Sequence, residues 1–160
     1  MSASFHVGDP QAPQPNRPRR LGVAVVLRDA GGRVLLECRA DSAQWGLVGG
    51  GVDDGESALT AVHREVTEET GLALAELRPL GLFSDPTRIL SYPDGNVLQS
   101  VTVAFVGSLR GSTPTLSEES LAFSWFEWDE IPWAQVPATQ VAILQIAHAN
   151  PAGAPEFYVD

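Results

Sequence analysis

The chain has 160 residues, 20 acidic and 10 basic side chains, and a formal net charge of −10. That length allows one domain with a sizeable core, and an apolar fraction of 44% argues against wholesale disorder. The acidity argues against a nucleic-acid ligand, because an acidic surface repels the phosphate backbone.

Residues 1–17 are rich in Pro, Gln and Asn and lack periodicity, so they read as a flexible N-terminal tail ahead of a single domain over 18–160. The cluster Arg17, Arg19 and Arg20 at the tail's end reads as a solvated basic lead into a strand, with contact to a phosphate as the alternative. The stretch "LGVAVVLRDAGGRVLLECRA" gives two β-branched runs joined by Asp29-Ala30-Gly31-Gly32, which predicts a hairpin. Cys38, the lone cysteine, reads as a buried strand residue with no disulfide partner. Segment 46–55 is glycine-rich and reads as a loop.

A helix is expected from Ser57 to Thr70, ended by Gly71, with Leu59, Val62 and Val66 as its apolar stripe. Residues 77–84 read as a strand and 84–96 as a loop with turn chemistry at Pro93-Asp94-Gly95. A long strand over 97–109, a loop over 110–120, a strand over 122–128 and a second helix over 138–150, stopped by Asn150-Pro151, complete the chain. Strands and helices in mixed order imply a layered α/β or α+β domain. No run is long and apolar enough to span a membrane. The N-terminus lacks the apolar core of a secretory signal, so the expected location is the cytoplasm.

The first helix poses a chemical question. Glu65, Glu68 and Glu69 stand at i, i+3 and i+4 and share one face. Like charges so spaced cost an exposed helix about 0.2–0.5 kcal/mol per pair, and the last turn is where the helix dipole disfavours them. In a cleft, two carboxylates about 6 Å apart repel by about 3 kcal/mol at an effective dielectric of 20. Arg64 is the one nearby cation in sequence. The cluster therefore calls for a further cation, and hard oxygen ligands without His or Cys point to Mg²⁺, with Mn²⁺ as a substitute. Gly49, Gly50 and Gly51 just upstream let backbone approach an anionic ligand closely.

Gly50, five residues, Glu56, seven residues, Arg64-Glu65-Val66, one residue, Glu68-Glu69, one residue, Gly71-Leu72 resembles the signature of the Nudix hydrolases. Every fixed position of that 23-residue box is filled, and a looser similarity runs from about residue 21 to residue 133. Val48 departs from the pattern, since many members have proline there.

The resemblance implies an α/β/α sandwich with a mixed β-sheet, and a hydrolase that cleaves a pyrophosphate bond in a nucleoside diphosphate linked to another moiety. It implies Glu65, Glu68 and Glu69 as the Mg²⁺ cluster, the Gly49 carbonyl as a further ligand, and Gly50 against the substrate. Glu56 and Arg64 would form a structural pair, with Gly71 as the helix stop. Catalysis would be attack of water on phosphorus beside a divalent ion, with a carboxylate accepting the proton. Glu65 is one candidate base, and a late loop offers Glu118 or Glu119. Arg39, and less directly Arg88, would meet substrate phosphate. Trp45, Phe83, Tyr92 and Trp133 are candidates to stack on a base. Pro86 lies near a position where ADP-ribose hydrolases of the family carry proline, which leans the expectation towards ADP-ribose or a nucleotide sugar. Pool-cleansing of nucleoside triphosphates is the alternative, with coenzyme A or a dinucleoside polyphosphate also open, and a non-catalytic nucleotide sensor is the rival class. A homodimer is the expected assembly.

Overall fold

The apolar run Val23-Ala24-Val25-Val26-Leu27 is buried along its whole length, which an alternating sheet permits only when both faces are covered. In the computed structural model, which describes residues 2–150 and 156–160, both faces are covered. Val23, Val25 and Leu27 pack into one hydrophobic cluster with Val62 and Val66, while Ala24 and Val26 enter another with Leu80, Ile143 and Leu144. A helix therefore lies on each side of the sheet, giving an α/β/α sandwich with a mixed sheet.

In chain order the strands are β1 (Ser4–His6), β2 (Arg20–Leu27), β3 (Val34–Arg39), β4 (Trp45–Gly46) and β5 (Val48–Gly51), followed by helix α1 (Ala58–Thr70). Then come β6 (Leu74–Phe83), β7 (Ile89–Ser91), β8 (Val97–Leu109), β9 (Ser120–Phe126), two 3₁₀ turns, α2 (Ala138–Ala149) and β10 (Tyr158–Val159). The main sheet has the order β1-β7-β8-β2-β5, with β6 also on β8 and β10 on β6. β2 and β10 make its parallel pairings, with β8 and β6 respectively, and the rest are antiparallel. A second sheet, β4-β3-β9, is antiparallel.

Several expectations are corrected here. The turn at Asp29 forms, with the Asp29 N–H donating to the Arg33 carbonyl and Gly32 to Asp29. The flanking strands, however, meet only at an isolated Arg28–Val34 bridge. β2 goes to β8 and β5, and β3 goes to β9, because each strand has two faces to bury and a two-stranded ribbon buries one. The glycine segment contains a strand, β5, paired to β2. The 84–96 loop contains β7. Leu59 is 56% exposed, and the buried side of α1 is Ala61, Val62, Val66, Glu69 and Thr70. Cys38 is half-buried. Segment 1–17 carries β1, which pairs with β7, and Asn16 and Arg17 hydrogen-bond to Val97.

Both ends of α1 follow the sequence closely. The Ser57 hydroxyl accepts from the Thr60 N–H at 3.0 Å, and Gly71 takes a left-handed φ of 70° to close the helix. Asn150 ends α2, while Pro151 lies outside the described residues. No helix among the described residues is long and apolar enough to cross a membrane.

Candidate active site

The apolar side of α1 fixes its roll against β2 and β5, and this turns Glu65, Glu68 and Glu69 towards the glycines of β5. The fit depends on missing side chains. A Cβ on Gly50 would overlap the Glu65 carboxylate, and one on Gly49 would run into the Val23 carbonyl of β2. Gly49 donates its N–H to Glu69 Oε2 at 3.0 Å. The guanidinium of Arg20 occupies the space beside Gly51.

Arg64 ties helix and loop together. Its Nε and Nη2 both donate to Glu56 at 2.9 Å, and Nη2 also reaches the Gly51 carbonyl at 3.0 Å. Its Nη1 donates to Glu65 at 2.7 Å and to Glu68 at 3.2 Å. The Glu56–Arg64 pair expected from the sequence is thus a two-point fork.

These groups face a cavity of about 400 Å³. Glu65, Glu68, Glu69, Gly49, Gly50, Arg39, Arg88 and Glu119 all line it, and Glu56, Arg64, Gly71 and Glu118 do not. Glu118 is exposed. Of the four aromatic candidates, Tyr92 lines the cavity, whereas Phe83 belongs to the hydrophobic core beside α2 and Trp45 and Trp133, half-buried, pack against it. Pro86 is exposed and outside the lining.

Arg39 stands among acids. It forks onto Asp41 at 3.1 and 3.2 Å, and lies 3.7 Å from Glu69, 3.8 Å from Glu119 and 4.0 Å from Glu37. A substrate phosphate at Arg39 would share it with these carboxylates. Glu37 is a participant the sequence reading passed over. It is fully buried, accepts a short hydrogen bond from the Ser120 hydroxyl, and its Oε2 accepts no hydrogen bond among the described residues. Its signal in the sequence was a single acid inside the apolar run Val34-Leu35-Leu36-Glu37. Arg20, part of the basic cluster at 17–20, also lines the cavity, whereas the walls contributed by Phe5 and Gln140 carried no comparable signal.

Burial dominates the electrostatics of Glu69. It pushes the carboxyl up to about 8, with Glu37 and Glu65 adding to the rise and the Gly49 N–H and Arg39 opposing it. Between the ordinary carboxylate range and pH 8 the folded protein therefore holds a proton that the unfolded chain releases. Stability contributed by protonated Glu69 falls as pH rises through that window and levels off above it. Burial shifts Glu37 in the same direction, so the clean reading is a difference. The melting temperature of Glu69→Gln minus that of the wild type should grow by a few degrees from pH 5 to pH 9 in a chelating buffer. A constant difference would place Glu69 in a more solvated setting than its 5% exposure implies.

The donor set suits a hard cation, since the lining offers carboxylate and backbone oxygens and neither His nor Cys. The three glutamates do not, however, converge on one point, and no group of three or more His, Cys, Asp or Glu does so among the described residues. Glu65 and Glu68 are turned onto Arg64, and Glu69 onto Gly49. A cation would compete with Arg64 for two carboxylates, of which Glu68, its side chain 60% exposed, has room to swing.

A mixed sheet lies between two helices, and the acidic face of α1 meets the β5 glycines at one cavity. The chain belongs to the NUDIX family: the NUDIX domain model matches residues 18–145. An RNA pyrophosphohydrolase of Dinoroseobacter shibae is 46% identical over 65 residues, 39% of this chain and 41% of that one, so the match spans less than half of that relative. Nucleoside triphosphatase NudI of Klebsiella pneumoniae is 30% identical over 121 residues, covering 71% of this chain and 85% of that one. Among solved structures, a NUDIX hydrolase from Nitrosomonas europaea superposes with a TM-score of 0.67 at 22% identity, over 89% of this chain and 77% of that one. The protein is a hydrolase acting on phosphoric anhydrides.

Proposed function

We propose that the protein hydrolyses nucleoside triphosphates to the monophosphate and pyrophosphate, with Mg²⁺, or Mn²⁺ in its place, bound by Glu65, Glu68, Glu69 and the Gly49 carbonyl. The observation that carries the reading is the meeting of the acidic face of α1 with the β5 glycines at one cavity that also holds Arg39 and Arg88. The cation, when bound, supplies charge neutralisation of the polyphosphate and activation of a water. The chain supplies the rest. Arg64 steadies Glu65 and Glu68, the Gly49 amide orients Glu69, and Glu65 or Glu119 takes the proton from the attacking water. Glu119 is preferred to Glu118 because it lines the cavity.

Two points move the reading from ADP-ribose or a nucleotide sugar to a triphosphate. Pro86, which carried that leaning, is exposed and away from the cavity. One relative matched over 85% of its own length is named a nucleoside triphosphatase. The test is a panel of triphosphates, ADP-ribose, nucleotide sugars, coenzyme A and dinucleoside polyphosphates with Mg²⁺, with products separated by chromatography. Monophosphate and pyrophosphate from triphosphates is the expected outcome. AMP from ADP-ribose alone would restore the nucleotide-sugar reading, and binding without turnover of any compound would make the protein a sensor.

A further inference from the structure

Arg88 is the largest fully buried side chain described, 2% exposed, yet it lines the cavity. Its Nη2 donates to the Thr139 carbonyl at 2.6 Å, its Nε has no acceptor, and it forms no ion pair among the described residues. The Phe83 ring closes one side, 5.5 Å from Cζ. A guanidinium carries five donors and tolerates burial poorly without acceptors. Here one acceptor is in place, and the unmet donors belong to a group on the wall of a ligand-sized cavity.

The neighbours indicate what would meet it. The strand registers set Phe5, Leu90 and Leu98 side by side across β1, β7 and β8, and all three line the cavity. That row is an apolar platform, a poor bed for a hydrated phosphate and a good one for a planar base. A 6-oxopurine offers two adjacent acceptors, O6 and N7, which match paired guanidinium donors. Adenine places an amino donor at the 6 position, donor against donor.

We propose that Arg88 is a specificity-determining residue that selects a 6-oxopurine base, guanine or hypoxanthine, over adenine, and that the C-terminal strand sets its position. This rests on the nucleotide site proposed above. The Asp160 carboxylate accepts from the Ser84 and Asp85 amides at 2.6 and 2.9 Å, and the Asp85 carbonyl accepts from the Arg88 amide at 3.0 Å. Tyr158 packs over Gly81 and against Phe83, ring centroids 5.0 Å apart, and Phe83 in turn backs the guanidinium. Asp160 is thus a positioning residue that acts through the 84–88 turn.

The experiment is equilibrium binding of α,β-methylene analogues of GTP, ITP, 7-deaza-GTP and ATP to the full chain with Mg²⁺, by calorimetry. Binding is read without turnover, so failure of the hydrolysis reading and failure of the base selection are separable. GTP and ITP analogues should bind about 10- to 100-fold more tightly than ATP, the range for one two-point base contact, with 7-deaza-GTP between them. Arg88→Met should reduce the ratio to near unity. Because Arg88 is buried and its variant risks misfolding, Asp160→Ala, at an exposed position, provides a second handle. It should keep the fold, weaken GTP-analogue binding several-fold and narrow the preference over ATP. Equal binding of the GTP and ATP analogues by the wild type, or binding of neither, overturns the proposal. An unchanged ratio in Asp160→Ala overturns the positioning role.

Discussion

Glu68→Gln should lower kcat at saturating Mg²⁺ by about 10²–10³-fold, the size of effect seen when one preorganised electrostatic group is removed from an active site, while leaving the fold intact. The side chain is 60% exposed and its one hydrogen bond among the described residues is from Arg64 at 3.2 Å. An exposed pair of that kind contributes about 0–1 kcal/mol, and its loss also relieves repulsion from Glu65. Activity and stability therefore separate at this position. The check is steady-state kinetics beside a thermal melt, with Mg²⁺ varied. Near-wild-type kcat would remove Glu68 from the cation-binding set. Loss of folding would mean that Glu68 holds the helix in place. Millimolar Mg²⁺ should raise the melting temperature of the wild type more than that of the variant, since a ligand stabilises the state that binds it.

Gly49→Ala should produce the largest loss of stability of any methyl addition at the site. The added Cβ would overlap the Val23 carbonyl and the Ala24 Cα, backbone atoms in the middle of β2, and these cannot rotate away. Gly49 also has a φ of 156° and donates the amide that holds Glu69. A cost of about 3–5 kcal/mol is expected for overlap with a fixed sheet, or about 10 °C in melting temperature for a chain of this size. At Gly50 the obstructing atoms are the flexible end of Glu65, so the same substitution there displaces a carboxylate and leaves the sheet standing. A Gly49→Ala protein that melts like the wild type would show that β5 sits further from β2 than the structure has it.

Local order was legible in the sequence where the signal was local. The span of α1 agrees with its reading to one residue because Ser57, the apolar spacing and Gly71 each act within a turn. β8 coincides with its expected range over 97–109 because its apolar run is bounded by turn residues at both ends. Pairing was less legible. The Asp29 turn reverses the chain, but β2 pairs with β8 and β5 and β3 with β9 and β4, not with each other, and both faces of β2 must be covered. Glycines 49–51 lack strand propensity, yet they form a strand because β2 offers its backbone and tolerates no Cβ at Gly49. Residues 4–6 have no marked pattern and become a strand by pairing with β7.

The site divides the same way. The acidic face of α1 stands in one helix and could be read from spacing. The base-facing wall is assembled from β1, β7, β8 and α2, so Phe5, Leu98, Thr139 and Gln140 become neighbours only through the sheet. Glu37 was visible as an acid among aliphatic residues, but its meaning depends on Ser120 and Arg39, which the fold brings to it.

Mn²⁺ binding followed by electron paramagnetic resonance tests the central assignment most directly, because it reads the cation without requiring a substrate to be known. With a non-hydrolysable triphosphate present, the wild type should bind Mn²⁺ well enough to deplete the free signal at micromolar protein. Glu68→Gln and Glu65→Gln, each shown to be folded, should bind at least tenfold more weakly. Equal Mn²⁺ binding by the wild type and both variants would contradict the account, and the acidic face of α1 would then owe its carboxylates to Arg64 and not to a metal.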